Sequence, residues 1–200
     1  MLTVQHLTKS FDGNPVLSDF SCTFPDNGIV TIVGPSGYGK TTLLRCIAGL
    51  EKPDSGEILG VPERISYCFQ EDRLLPWRTA LGNLEAVLGR RRREELLCWL
   101  DRVGLSEARD KYPSELSGGM RSRVAFARAL AFDAPLLLLD EPFHALDNAT
   151  RGAMEELLLS EAKNRLVLLV THHTPPEGAP VVHVGEAGCT PCKKIKKCAL

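Results

Sequence analysis

Apolar positions in this chain fall into short runs separated by Gly- and Pro-rich breaks. Leu136–Leu139 and Leu166–Val170 are apolar at every position, the pattern of strands covered on both faces at the centre of a parallel sheet. Ile29–Val33 adds a third strand rich in β-branched residues. Residues 1–25 predict short strands around the turn Asp12-Gly13-Asn14-Pro15. Helices are predicted over Thr41–Leu50, Arg90–Val103, Met120–Phe132 and around Thr150–Ala162. In the second, Leu96, Leu97, Leu100 and Val103 recur at helical spacing and Gly104 supplies a stop. Ser117 sits where an N-cap belongs before the third. Strands alternating with helices predict an α/β fold, a mostly parallel sheet with helices on both faces and a small N-terminal antiparallel β lobe. The stretch 71–116 has no strand pattern and reads as a helical insertion, so a helical subdomain is expected over about 71–118.

Composition narrows the class. With 200 residues, 44% hydrophobic and 24% charged, the chain suits one folded domain rather than a disordered one. The 24 Lys+Arg and 25 Asp+Glu give a formal charge of −1, which argues against a protein that coats nucleic acid. Lys193–Leu200 carry four Lys and no acid, leaving 20 basic and 25 acidic groups, or −5, on the rest. No run approaches the ~20 apolar residues that span a bilayer, and the N-terminus has no signal-peptide core, so a soluble, cytosolic body is expected. Cys22, Cys46, Cys68 and Cys98 lie singly in apolar or amphipathic segments and read as reduced packing residues. Residues 1–185 then form the domain and 186–200 a Lys/Cys-rich tail. Cys189-x-x-Cys192 with Cys198 and His183 allows a zinc site, and the lysines allow contact with anionic lipid, but a solvated tail is the reading adopted. Arg90–Arg93 followed by Glu94-Glu95 reads as a solvated helix face.

Candidate chemistry begins at Gly34-Pro35-Ser36-Gly37-Tyr38-Gly39-Lys40-Thr41, which matches G-x-x-x-x-G-K-[ST] and lies between a strand and a helix as that motif requires. Glycines let successive backbone N–H groups face phosphates, and the helix starting there adds its positive end. Lys40 would reach the β- and γ-phosphates of ATP. The Thr41 hydroxyl would ligate Mg²⁺, and Thr42 beside it would belong to the nucleotide-binding loop. Four aliphatics then end in Asp140-Glu141. A buried strand would deliver both carboxylates to the ligand-binding edge of an open α/β sheet. Asp140 would hold Mg²⁺, and Glu141 would orient or deprotonate the attacking water.

Leu116-Ser117-Gly118-Gly119-Met120 resembles the signature loop of ATP-binding cassette (ABC) ATPases, and Arg121–Leu130 resembles the helix that follows it. The order of motifs is also that family's, over roughly residues 2–185. The resemblance implies a P-loop NTPase core and a head-to-tail dimer of two ATPase subunits with two ATP between them. Ser117, Gly118, Gly119 and Met120 of one chain would then face the phosphate loop of the other. It also implies roles by position: Gln70 joins Mg²⁺ and senses the γ-phosphate, His172 contacts the γ-phosphate, Asp147 crosses to the partner, and Phe11 stacks on adenine.

Gln70-Glu71-Asp72-Arg73-Leu74-Leu75-Pro76-Trp77 resembles the nitrate, sulfonate and taurine importer branch, which also takes in vitamin-precursor systems. Ser-Gly-Gly-Met and Glu141-Pro142-Phe143 resemble it too. Integral-membrane permeases, an extracytoplasmic solute-binding protein acting through them, and a peripheral place on the cytoplasmic face of the membrane are thereby implied, with no nucleic-acid partner. Leu75 and Trp77 would line the permease groove or pack inside the helical lobe. An ABC exporter ATPase and a soluble ABC ATPase acting on nucleic acid or ribosomes are the alternatives. Departures are a short Gly60–Tyr67 link, which implies a trimmed β lobe, and His144 and His173 where the family usually has Gly and Asp. Thr174-Pro175-Pro176 replaces an acidic helix start. With the chain ending soon after Val181–Val184, no C-terminal regulatory domain is expected.

Overall fold

A computed structural model describes residues 1–89 and 92–185. The Cys189, Cys192 and Cys198 tail and its lysines therefore lie outside the described residues, as do Arg90 and Arg91.

Two sheets organise the chain. β1 (Thr3–Phe11), β2 (Asn14–Thr23) and β4 (Ser55–Leu59) form a three-stranded antiparallel sheet in the order β2-β1-β4. β3 (Gly28–Val33), β5 (Ile65–Cys68), β6 (Leu136–Asp140), β7 (Leu166–Val170) and β8 (Val181–His183) form a parallel sheet in the order β5-β6-β7-β3-β8. β6 and β7 are buried at every position, as their unbroken apolar sequence requires.

Period-two alternation along these strands feeds two cores. Leu137, Leu139, Val167 and Leu169 face α2 (Ala80–Leu88), α3 (Arg93–Arg102), α4 (Gly118–Ala131) and α5 (Asn148–Glu161). Leu136, Leu138, Leu168 and Val170 face the antiparallel lobe and α1 (Lys40–Ile47), through Phe20, Phe24, Leu43 and Leu44. A strand that is apolar throughout is thus needed on both sides.

The helical stretch differs in detail from the expected one. It holds a second helix, α2, capped by Thr79 through Gly82 N, whose apolar content lacks a clean stripe because Ala80–Glu85 are all buried. α1 ends at Ile47 rather than Leu50, with Gly49 at φ +70° closing the turn. Cys22, Cys46 and Cys68 are buried, but Cys98 is exposed and does not pack. Arg93 pairs with the nearly buried Glu85 of α2 at 2.6 Å, so that part of the charge run joins two helices rather than only solvating one. Among the described residues no helix is long and apolar enough to cross a membrane.

Leu138 is fully buried where β5, β6 and β7 meet. Leu138→Ala is expected to lower unfolding stability by about 2–5 kcal/mol, read from urea denaturation; a change under about 1 kcal/mol would show that this layer does not carry the fold.

Candidate functional site

β3 and β6 run parallel on either side of β7, so both release their chains at the same sheet edge. After β3 the chain curls through Gly34–Gly39 into α1. Gly39 forms the α1 N-cap at φ +86°. A Cβ there would strike the Val16 carbonyl and the Leu17 side chain, so glycine is required by conformation and by space.

Ser36, Gly37, Gly39, Lys40, Thr41, Thr42, Gln70, Glu141 and His172 line one cavity of about 330 Å³ at this edge. Lys40 is buried, and its Nζ donates to the carbonyl oxygens of Gly34 and Pro35, both at 2.8 Å. An ammonium has three N–H donors, so one remains for a ligand. Tyr38 is exposed, with its ring beside Gly185.

The Thr41 hydroxyl donates to Asp140 Oδ1 at 3.0 Å, and the Tyr67 hydroxyl donates to Asp140 Oδ2 at 3.4 Å. Burial pushes the Asp140 carboxyl above its ordinary range, with the Glu141 charge adding to this and the two hydroxyls opposing it. Burial, followed by the Asp140 charge, pushes the Tyr67 phenol up, so it stays a neutral donor. Thr41, Asp140 and Gln70 offer oxygen donors only, a set that suits a hard cation such as Mg²⁺.

Glu141 stands at φ +51°, a left-handed conformation uncommon for a residue with a side chain. Three hydrogen bonds hold it there. Its N–H donates to the Val170 carbonyl at 3.0 Å, and its own carbonyl accepts from the His144 backbone at 3.3 Å and from His144 Nδ1 at 3.0 Å. His172 Nε2 lies 2.8 Å from Glu141 Oε1, with both side chains partly exposed to the cavity. His144, a departure in the sequence, thus braces the Glu141 backbone.

The remaining candidates stand outside this cavity. Ser117 caps α4, its Oγ accepting from Met120 N at 3.3 Å. Met120 packs its side chain against the helical core. A Cβ on Gly119 would come within 3.1 Å of the Ala145 carbonyl, whereas one on Gly118 would meet nothing closer than Arg121 at 3.9 Å. Asp147 caps α5; the Thr150 N–H and then the Thr150 hydroxyl hold its exposed carboxyl below the usual range. Phe11 is exposed at the end of β1 with Lys9 Nζ 5.1 Å from its ring centre.

Three residues carry weight that the motifs did not reveal. Tyr67 reaches Asp140 as described. Asp72 accepts from Ser122 Oγ at 2.8 Å and pairs with Arg121, while Arg128 donates to the Asp72 and Arg73 carbonyls; this ties the segment after Gln70 to α4. Arg121 and Arg128 one heptad apart were the available signal. Asn83 is fully buried, and its amide accepts from Leu75 N at 2.7 Å and donates to the Leu75, Arg78 and Thr79 carbonyls. It folds Leu75–Thr79 into a loop that leaves Trp77 70% exposed and Leu75 half-buried. No periodicity marks that role.

Asn83→Ala would remove the acceptor of the part-buried Leu75 N–H, at a cost of about 1–3 kcal/mol. Lower thermal stability together with altered acrylamide quenching of Trp77, measured in a Trp99→Phe background, is expected; unchanged quenching would remove Asn83 as the loop's anchor.

Comparison with known proteins places these features in context. The family model described as "ABC transporter" matches residues 17–144. The aliphatic sulfonates import ATP-binding protein SsuB 3 of Pseudomonas syringae pv. tomato is 45% identical over 180 residues, covering 86% of this chain and 67% of that protein. The taurine import ATP-binding protein TauB of Yersinia pestis bv. Antiqua is 43% identical over 187 residues, covering 86% and 73%. This chain thus spans about two thirds to three quarters of the length of these relatives. Among solved structures, a dimeric ATP-binding cassette in a post-hydrolysis state with ADP and Pi superposes with a TM-score of 0.83 at 30% identity, covering 92% of this chain and 94% of that one.

Proposed function

The chain belongs to the ABC transporter family, and we propose that it is the ATP-hydrolysing subunit of an importer for a small solute of the sulfonate, taurine or nitrate class or a vitamin precursor. The observation that carries this reading is the single cavity in which Lys40, Gln70, Glu141 and His172 converge on the phosphate loop.

The chemistry follows from the residues. The backbone N–H groups of Ser36–Thr41 and the start of α1 would cradle the phosphates of ATP, with Lys40 neutralising charge at the β- and γ-groups. Thr41, Asp140 and Gln70 would hold Mg²⁺, which when bound neutralises charge on the phosphate oxygens. Glu141 would orient the attacking water and accept its proton. His172, within hydrogen-bond reach of Glu141, would fix that carboxylate and contact the γ-phosphate. The strained backbone at Glu141 is a reason its carboxylate reaches back over the cavity.

A second copy completes the site in this reading. Ser117, Gly118 and Gly119 sit at the start of α4, away from the cavity of their own chain, and a Cβ on Gly118 would meet nothing closer than Arg121 at 3.9 Å. A helix N-terminus that opens with two glycines suits the phosphates of ATP held by a partner, head to tail. Asp147, exposed at the start of α5, would cross the same interface, and Phe11 would stack on adenine. The exposed Trp77 and half-buried Leu75 would meet permease subunits on the cytoplasmic face of a membrane. A solute-binding protein would act through those permeases from the other side.

Glu141→Gln keeps size and hydrogen bonding but removes the base. Turnover is expected to fall at least about 100-fold with ATP affinity retained, and sedimentation should show an ATP-dependent dimer. Turnover at the original rate would show that Glu141 is not the base.

A further inference from the structure

Tyr67 lies in β5, a strand whose other members Ile65, Ser66 and Cys68 serve packing or backbone contacts. An aliphatic side chain at this position would continue the strand but offer no hydroxyl. Tyr67 instead sends its hydroxyl to Asp140 Oδ2 at 3.4 Å, while Thr41 from α1 occupies Oδ1 at 3.0 Å. Each oxygen of a carboxylate that is only 2% exposed is therefore held by a hydroxyl from a different element. The Tyr67 ring is fixed in turn: it stacks on Phe69 with centroids 4.1 Å apart and planes 16° from parallel. The Arg73 guanidinium lies 4.0 Å from the Phe69 centroid. Asp140 is thus linked through Tyr67 and Phe69 to the segment that flanks Gln70 on both sides.

We propose that Tyr67 is a positioning residue for the metal site: its hydroxyl orients the Asp140 carboxylate so that a divalent cation can be taken up beside Thr41. The proposal rests on the reading of the cavity as a Mg²⁺–ATP site. Carboxylates that bind metal are themselves held by hydrogen bonds, and losing such an outer partner typically costs about 10–100-fold in metal affinity. The Tyr67 contact is the longer of the two, so the low end of that range applies. Tyr67 touches neither nucleotide-facing backbone nor Lys40 among the contacts described, so metal affinity and metal-free nucleotide affinity should separate.

Tyr67→Phe keeps the ring and its stack on Phe69 and removes the hydroxyl alone. Mn²⁺ would be titrated into protein holding a stoichiometric non-hydrolysable ATP analogue, with free ion read by electron paramagnetic resonance. Calorimetry in EDTA would give the metal-free affinity for the analogue. The variant is expected to bind Mn²⁺ about tenfold more weakly while its affinity in EDTA matches that of the unsubstituted protein. Equal Mn²⁺ affinity in the two proteins would overturn the proposal. So would an equal loss with and without metal, because the hydroxyl would then act on nucleotide or fold rather than on the cation. An unsubstituted protein that bound no analogue would overturn the cavity reading along with this one.

Discussion

A hydroxyl and a carboxylate 99 residues apart in sequence, Thr41 and Asp140, meet at 3.0 Å, and the rest of the molecule is arranged around making that contact possible. It requires β3 and β6 to be parallel, neighbours of the same strand, and in a register that ends them at one edge. Parallel strands of this kind must be covered on both faces. That single constraint explains the two cores, one under α1 and the antiparallel lobe and one under the helical elements. It also explains why Leu136–Leu139 and Leu166–Val170 admit no polar residue. A buried carboxylate at the end of such a strand is disfavoured as an anion, and the pair of hydroxyls from Thr41 and Tyr67 offsets this in part.

Around that contact, the structure joins parts that the sequence keeps apart. Gln70 lines the cavity; two residues on, Asp72 is latched to α4 by Ser122 and Arg128; eleven residues beyond Asp72, Asn83 shapes the loop that exposes Trp77. One stretch of chain after the cavity is therefore tied first to the helix behind Ser117 and then into the loop that carries an exposed aromatic. On the other side, Gly119 packs against the Ala145 carbonyl, so the start of α4 and the turn before Asp147 are fitted to each other within one chain.

Much of this was legible from residues alone, for identifiable reasons. The strands of the parallel sheet were readable because β-branched and aliphatic runs bounded by Gly and Pro leave few alternatives. The phosphate loop was readable because glycine spacing and a following Lys-Thr are direct consequences of wrapping backbone around phosphate. Ser117 as a cap followed from its place before an apolar periodic segment, whereas Asp147, expected only to cross to a partner, also caps α5. What stayed hidden was mostly long-range and polar. α2 was obscured because its first six residues are all buried, which erases the stripe. Asn83 and Asp72 act through partners that only the fold brings near. Tyr67 reads as an ordinary strand aromatic until β5 is paired with β6. His144 read only as a departure from the usual Gly, and its donation to the Glu141 carbonyl was not legible. Cys98 illustrates the converse, an apolar-looking residue on an amphipathic helix that faces outward.

Every role proposed for this chain requires the cavity at the sheet edge to be a phosphate site built around Lys40. Calorimetric titration of ATP into the protein and into Lys40→Ala tests this most directly. A charge-assisted contact of about 1.5–3 kcal/mol predicts affinity about 10- to 150-fold weaker in the variant, with the fold intact by circular dichroism. Equal affinity in the two proteins would contradict the account at its centre.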